Sequence, residues 1–188
     1  MKLLLLFLFP YFLFAQKDVL VQKKEYTVLY SQEYQQPKEL NYKVTCSKQD
    51  SIKKKRLSFH KEKAILTADN KDFAKSNYDK GHLYASETAE CDTLAYYESY
   101  SYLNVAAQNP QLNRGVWKTL EEVERRLKGT IKVIVVVDFP KIKKKEKQGM
   151  LIPKGFYKTI YRNDTIVRKY YFPNEKPTSN NLRNYEIH

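Results

Sequence analysis

Glycine is scarce in this chain, five in 188 residues, and no Gly/Ser stretch divides it. That excludes a flexible linker between two domains. Cysteine is scarcer. Cys46 and Cys91 stand alone, without the spacing of a zinc motif. They either form one bridge or remain two buried thiols. A bridge would close a loop of about 45 residues and add about 4 kcal/mol in the chain-entropy model. Acidic residues are also few, 21 Asp+Glu against 34 Lys+Arg, giving a formal net charge of +13. The excess suits a polyanionic partner but does not distinguish DNA, RNA or anionic lipid, and a lysine-rich solvated surface reads the same way. Long hydrophobic runs are confined to one, Leu3 to Phe14, too short to span a bilayer. With Lys2 before it and Ala15 after it, residues 1–15 read as a secretory signal. The expected mature chain, residues 16–188, is then one secreted or periplasmic domain without stable membrane association, in an oxidising compartment.

What is present is enough for one globular core: 42% hydrophobic and 29% charged residues, and no internal repeat. Glu25 to Ser31 and Leu40 to Cys46 carry β-branched and aromatic residues and read as strands on either side of Gln35-Gln36-Pro37. A basic run, 52–56, precedes a short strand expected at Leu57 to His60. Leu112, Val116, Trp117, Leu120, Val123 and Leu127 recur at helical spacing. Asn109-Pro110 reads as an N-cap followed by proline in the first turn, and Gly129 as a stop, so a helix is expected from about 110 to 128. Ile131 to Phe139 is nearly all apolar and β-branched, the pattern of a central strand buried on both faces. After a second basic loop, 141–147, come strands at Leu151 to Tyr161 and Thr165 to Phe172, joined tightly through Arg162-Asn163-Asp164. Leu182 to Ile187 reads as a last docked element. Strands around one prominent helix give an α+β fold.

Three histidines are available, and His82 is the informative one. It follows Gly81 in Asn77-Tyr78-Asp79-Lys80-Gly81-His82-Leu83-Tyr84. Glycine admits close approach of a substrate, and a neutral imidazole takes a proton from water near pH 7. His60 sits in a lysine-rich stretch and His188 is the last residue. Asn113 lies near the expected helix start, where backbone N–H groups favour phosphate. Its carbonyl oxygen suits a hard cation that keeps most of its waters. Glu121 is about 80° further round an ideal helix, and Arg125 four residues beyond it. For Glu121 and Arg125 the plain alternative is an exposed ion pair. For Asn104 it is a buried carboxamide satisfying loop backbone.

Tyr78-Asp79-Lys80-Gly81-His82-Leu83, Tyr102-Leu103-Asn104-Val-Ala-Ala-Gln108, Leu112-Asn113-Arg114-Gly115-Val116-Trp117 and Leu120-Glu121 together resemble the signature of the DNA/RNA non-specific endonucleases. These are the ββα-metal, or His-Me finger, nucleases. The resemblance extends to Tyr30 to Cys46 and to 131–139 and 152–158, most of the mature chain. It implies a ββα-metal fold, with a mixed or antiparallel sheet and a metal-site helix, and a metal-dependent endonuclease. Mg²⁺ (or Mn²⁺) is the implied cofactor, and DNA and RNA are the implied substrates. By resemblance His82 is the general base and Asn113 the metal ligand. Glu121 and Asn104 orient the metal's waters and the asparagine, and Arg125 and Arg56 steady phosphate. Asp79, with Gly81, fixes the histidine loop. Lys80 stands where the family has arginine and keeps the charge without the bidentate fork. Prolines common after the histidine and before Gln108 are absent.

The expected activity is therefore a secreted, Mg²⁺-dependent, sugar-non-specific endonuclease, a type of enzyme for which a protein inhibitor is a conceivable partner. Two rivals come from other classes. One is a secreted nucleic-acid-binding protein of the same fold, catalytically weakened at Lys80. The other is an envelope protein whose basic loops meet anionic glycan or lipid.

Overall fold

In the computed structural model, the described residues are 18–47, 50, 54–74, 76–141 and 150–188. The expected signal segment 1–15, most of the basic loop 141–147 and the first part of the basic run 52–56 fall outside them. Six antiparallel strands form the main sheet: β1 (Asp18–Gln22), β2 (Tyr26–Ser31), β3 (Gln36–Lys43), β6 (Ile131–Asp138), β7 (Gly155–Arg162) and β8 (Thr165–Pro173). Their order across the sheet is β1-β2-β3-β6-β7-β8. A separate two-stranded ribbon pairs β4 (Asp79–His82) with β5 (Val105–Gln108). Of two short helices, α1 (Asn70–Ala74) precedes the ribbon and α2 (Thr93–Ser99) lies between its two strands. The chain leaves β5 into α3 (Pro110–Leu112), a wide turn over Asn113–Trp117, and α4 (Lys118–Glu124). Ribbon followed by helix is the ββα order, on an α+β frame.

The sheet is two-faced. Along β6, Ile131, Val133, Val135 and Val137 are buried, whereas Val136 is 38% exposed and its alternate neighbours are only partly covered. The expectation of a strand buried on both faces is corrected. The helices cover one face only, and β-branched residues on the other serve strand propensity rather than burial. On the covered face Trp117 packs edge-on against Phe156 and Phe172, with ring centroids 5.4 and 5.6 Å away. Leu112, Val116 and Leu120 join the same core. Removing a fully buried ring of this kind costs about 3–5 kcal/mol.

Three further expectations change. Leu57 to His60 is not a strand. His60 alone bridges to Ser101, with its N–H donating to Tyr100 O at 3.0 Å and its carbonyl accepting from Tyr102 N at 2.9 Å. Leu57 and Phe59 alternate because they pack on the core, with no strand edge beside them. Conversely, β1 forms over residues that the pattern reading leaves unassigned. The expected helix stops at Glu124 and is broken at Gly115, where φ is −104° and ψ −114°. Its start is as expected, since Asn109 Oδ1 accepts from the N–H of Gln111 and Leu112 at 3.0 and 3.3 Å. The tight β7–β8 connection puts Asn163 and Asp164 at φ of 50° and 62°, a left-handed pair that these residue types tolerate. The tail docks through a short helical turn, Leu182–Tyr185, that stacks Tyr185 on Phe172.

Cys46 and Cys91 are bonded, with Cα atoms 5.4 Å apart. The bridge ties the segment after β3 to the turn that follows residues 86–88. No helix among the described residues is long and apolar enough to cross a membrane.

Candidate active site

β4 ends on His82, and Gly81 explains why the ribbon closes there. A Cβ on Gly81 would lie 2.7 Å from Gln108 Cβ and closer still to the Gln108 amide. Only glycine lets β4 and β5 approach with Gln108 folded between them. Gln36 ties this ribbon to β3. Its buried Oε1 accepts from Ala107 N at 2.8 Å, and its Nε2 donates to Leu151 O at 2.7 Å. The His82 ring sits between Phe59, 5.0 Å away, and the edge-on Tyr100, 5.2 Å away. Burial pulls its pKa down to about 4. Glu87 opposes the shift and Arg56 adds to it. The imidazole is therefore neutral at pH 7, and its buried Nε2 has no hydrogen-bond partner among the described residues.

His82, Asn113, Glu121 and Arg56 line one cavity of about 620 Å³. Lys54, Lys118 and Arg114 supply further cationic lining, and Glu87 and Glu90 anionic lining. The ribbon is locked to the helix by Asp79. Its Oδ2 accepts from Asn113 Nδ2 at 2.9 Å, and Arg114 grips both carboxylate oxygens, Nε at 2.8 Å and an Nη at 2.6 Å. Burial resists ionisation of Asp79, but the Arg114 and Asn113 hydrogen bonds outweigh it and hold the carboxyl below the ordinary range. With Nδ2 committed, Oδ1 is the polar atom that Asn113 has left. Despite the break at Gly115, residues 113 and 121 reach the same cavity.

Glu121 is buried and accepts from Trp117 Nε1 at 2.9 Å. Burial pushes its pKa up to about 8, with Glu124 and Glu87 adding to the shift and Lys158 and Arg125 resisting it. The exposed Glu121–Arg125 pair is thus corrected, because Arg125 is also buried, only 9% exposed, at the end of α4. Its charge falls instead between Glu121 and Glu87. Glu87 would resist ionisation through burial, yet its own backbone N–H, Ser86 and the Arg125 charge lower its pKa.

Of the assigned residues, Asn104, Lys80 and Arg125 stand outside the cavity lining, as do the supporting Asp79 and Gly81. Asn104 is fully buried, and its side chain is spent on backbone. Oδ1 accepts from Tyr84 N, and Nδ2 donates to Tyr84 O and Ser99 O, each at 2.8 Å. Of the two readings left open for it, the geometry matches the loop clamp that holds the chain just past His82. Lys80 points its Nζ to Asn70 Oδ1 at 2.6 Å and over the Phe59 ring at 5.1 Å. Arg56, which is exposed, is the assigned cation that lines the cavity. His60 stacks on Tyr97 at 4.2 Å, away from this cavity. The sequence does not point to Glu87, Glu90, Lys118 or the role of Arg114, whereas Lys54 lies in the basic run 52–56 that it singles out. Adjacency to Asn113 was the one available signal for Arg114. Nothing in a single sequence separates Glu87 from the other glutamates.

Among the described residues, no group of three or more His, Cys, Asp or Glu is placed to hold a metal ion. The donors that converge are an amide oxygen and carboxylates, hard oxygen ligands too few to strip a cation of its water. That set fits a hydrated hard divalent ion and not a zinc-type site.

A ββα ribbon-and-helix unit with a neutral buried histidine and an asparagine lining one cavity defines a class, and the comparisons agree. The model of the DNA/RNA non-specific endonuclease family matches residues 10–188, so the chain belongs to that family, whose members are nucleases. It is 30% identical over 118 residues to mitochondrial endonuclease G of Bos taurus, covering 61% of this chain and 39% of that protein. To the Homo sapiens protein it is 30% identical over 110 residues, covering 58% and 36%. The match thus spans under two-fifths of either relative. A chain of the solved EndoG/EndoGI complex, a structure addressing EndoG inhibition, has the same fold. Its TM-score is 0.75 at 21% identity, covering 93% of this chain and 82% of that one.

Proposed function

We propose that residues 16–188 form a secreted or periplasmic, Mg²⁺-dependent endonuclease that hydrolyses both DNA and RNA phosphodiesters, released from a signal segment at 1–15. The observation that carries this reading is His82 and Asn113 lining one cavity while Asp79 and Arg114 lock their two elements together. The neutral His82 imidazole takes a proton from the attacking water. Asn113 would hold the divalent ion, and Glu121 would orient its waters. When bound, that ion neutralises phosphate charge and stabilises the leaving 3′ oxygen, which gives 5′-phosphate ends. Arg56, Lys54 and Lys118 receive backbone phosphates, so sequence preference is weak and salt sensitivity marked. Arg125 acts from behind the wall, holding Glu87 and Glu121. A nuclease exported in active form calls for restraint, and a protein inhibitor that covers this cavity is the partner we propose.

Plasmid DNA and a structured RNA, incubated with Mg²⁺ with and without chelator, test the reading. Both should be cut, and chelator should stop it. Nucleic acid that is retarded in a gel but left intact in Mg²⁺ would establish the weakened binding protein instead. Detection of the protein only in the cytosolic fraction would overturn its export.

A further inference from the structure

Behind the cavity wall lies a charged cluster that the proposed chemistry does not use. Lys158, on β7, is fully buried, as is Glu124 on α4, and the two are paired at 2.9 Å. Tyr42 on β3 donates its hydroxyl to Glu124 Oε2 at 2.5 Å. Lys158 Nζ also sits 4.3 Å from the centroid of Trp117, over the ring face. On its edge the same indole donates to Glu121, the carboxylate that lines the cavity.

A lysine is among the costliest residues to bury, and methionine would fill such a site without that cost. If Lys158 served only Glu124, removing both charges together would cost the fold little, because buried pairs are often neutral against apolar replacements. The cluster is not a simple pair, however. Lys158 pairs with Glu124 and lies over the indole that donates to Glu121, and Tyr42 relieves Glu124 of part of its need. Glu87 adds negative charge from the turn at 86–88, and Arg125 positive charge from the end of α4. A cation over the indole face also polarises the ring and strengthens Nε1–H as a donor to Glu121. We propose that Lys158 is a positioning residue for the active site: seated over the face of Trp117, it fixes the indole whose N–H holds the Glu121 side chain at the cavity. Glu124 and Tyr42 keep the lysine in place. This rests on the nuclease reading for its consequence, but the linkage itself exists in the metal-free protein.

The test compares Lys158→Met with the double variant Lys158→Met/Glu124→Gln, which removes both members of the buried pair. Trp117 is the only tryptophan, so its emission reports the cluster directly. In metal-free wild type, the emission of the indole held between Lys158 and Glu121 is the reference. In the double variant, with thermal unfolding close to wild type, the emission maximum should shift away from it, because the indole loses the cation that fixes it. Mn²⁺ binding should weaken at least tenfold, and plasmid cleavage should fall at least tenfold. A double variant with unchanged emission maximum, Mn²⁺ affinity and cleavage would reduce Lys158 to a partner of Glu124 and overturn the proposal. Wild type and His82→Ala are run alongside. Wild-type DNA left uncut would sink the nuclease reading, while the fluorescence and Mn²⁺ measurements would still decide the role of Lys158.

Discussion

Asp79 accepts a 2.9 Å hydrogen bond from Asn113 Nδ2, joining the ribbon that carries the histidine to the helical segment that carries the carboxamide proposed to hold the metal. The bond orients the amide, and Arg114 holds the carboxylate ionised while it does so. Asp79→Ala should therefore lower cleavage by about 10- to 100-fold and raise the Mg²⁺ concentration needed, as for other groups that orient a ligand. A Mg²⁺ titration of cleavage rates checks this, and an unchanged midpoint would refute it.

His82→Ala should cost at least about 10²-fold in rate with the fold intact. The usual imidazole value alone implies activity that fades below about pH 6.5. Burial moves that limb, since the ring stays neutral to about pH 4. Cleavage assayed from pH 7 down should persist well below 6. A midpoint near 6.5 would show the ring to be more solvated than its packing against Phe59 and Tyr100 implies.

Stability should carry two opposite signatures. His82 titrates lower in the fold than its ordinary 6.5, so its contribution is complete above that pH and is lost as pH falls through about 4. Glu121 titrates higher, about 8 against 4.5, so its contribution is complete below 4.5 and is gone once pH has risen through 8. Urea unfolding across pH 4–9 should show His82→Gln flattening the acid limb and Glu121→Gln the alkaline one. Limbs that survive these substitutions would assign them to other groups.

The Cys46–Cys91 bond closes a 45-residue separation. Reduction should lower the unfolding free energy by about 4 kcal/mol if chain entropy dominates. Denaturant unfolding with and without reductant measures it, and no shift would mean the reduced chain retains this loop's structure.

Gly81→Ala should destabilise by about 1–3 kcal/mol, because the new Cβ meets the buried Gln108 side chain. Thermal unfolding of the variant, and of Gly81→Ala/Gln108→Ala, which removes the amide but keeps the Cβ 2.7 Å away, separates the clash with the amide from the rest. Partial recovery in the double variant is expected, and none would place the cost in the backbone and the Cβ–Cβ contact.

Local patterns carried much of this molecule. The N-cap at Asn109, the helix start and the Asn163-Asp164 turn are each decided by a few neighbouring residues, and each is legible in order of sequence. The motif around His82 and Asn113 was legible as well, because its spacing is fixed by a short ribbon and one helix. The stretch at Leu57 to His60 was misread because alternation reports which side chains are buried, not whether another strand lies alongside. β6 was misread for a related reason. Valine and isoleucine favour strands on an open face as well as a covered one.

Sequence by itself determined the composition of the site: one histidine in a glycine-led motif, an asparagine near the start of a helix, and an excess of positive charge. Tertiary structure alone decided what those groups are worth. Only packing could depress the imidazole at 82, bury Glu121 and Arg125, divert Asn104 and Lys80 to other partners, and seat a lysine under Trp117. Ionisation depends on the solvent and charges surrounding a group in space, and residues such as Glu121 and Lys158 are brought together by the sheet, not by the order of the chain.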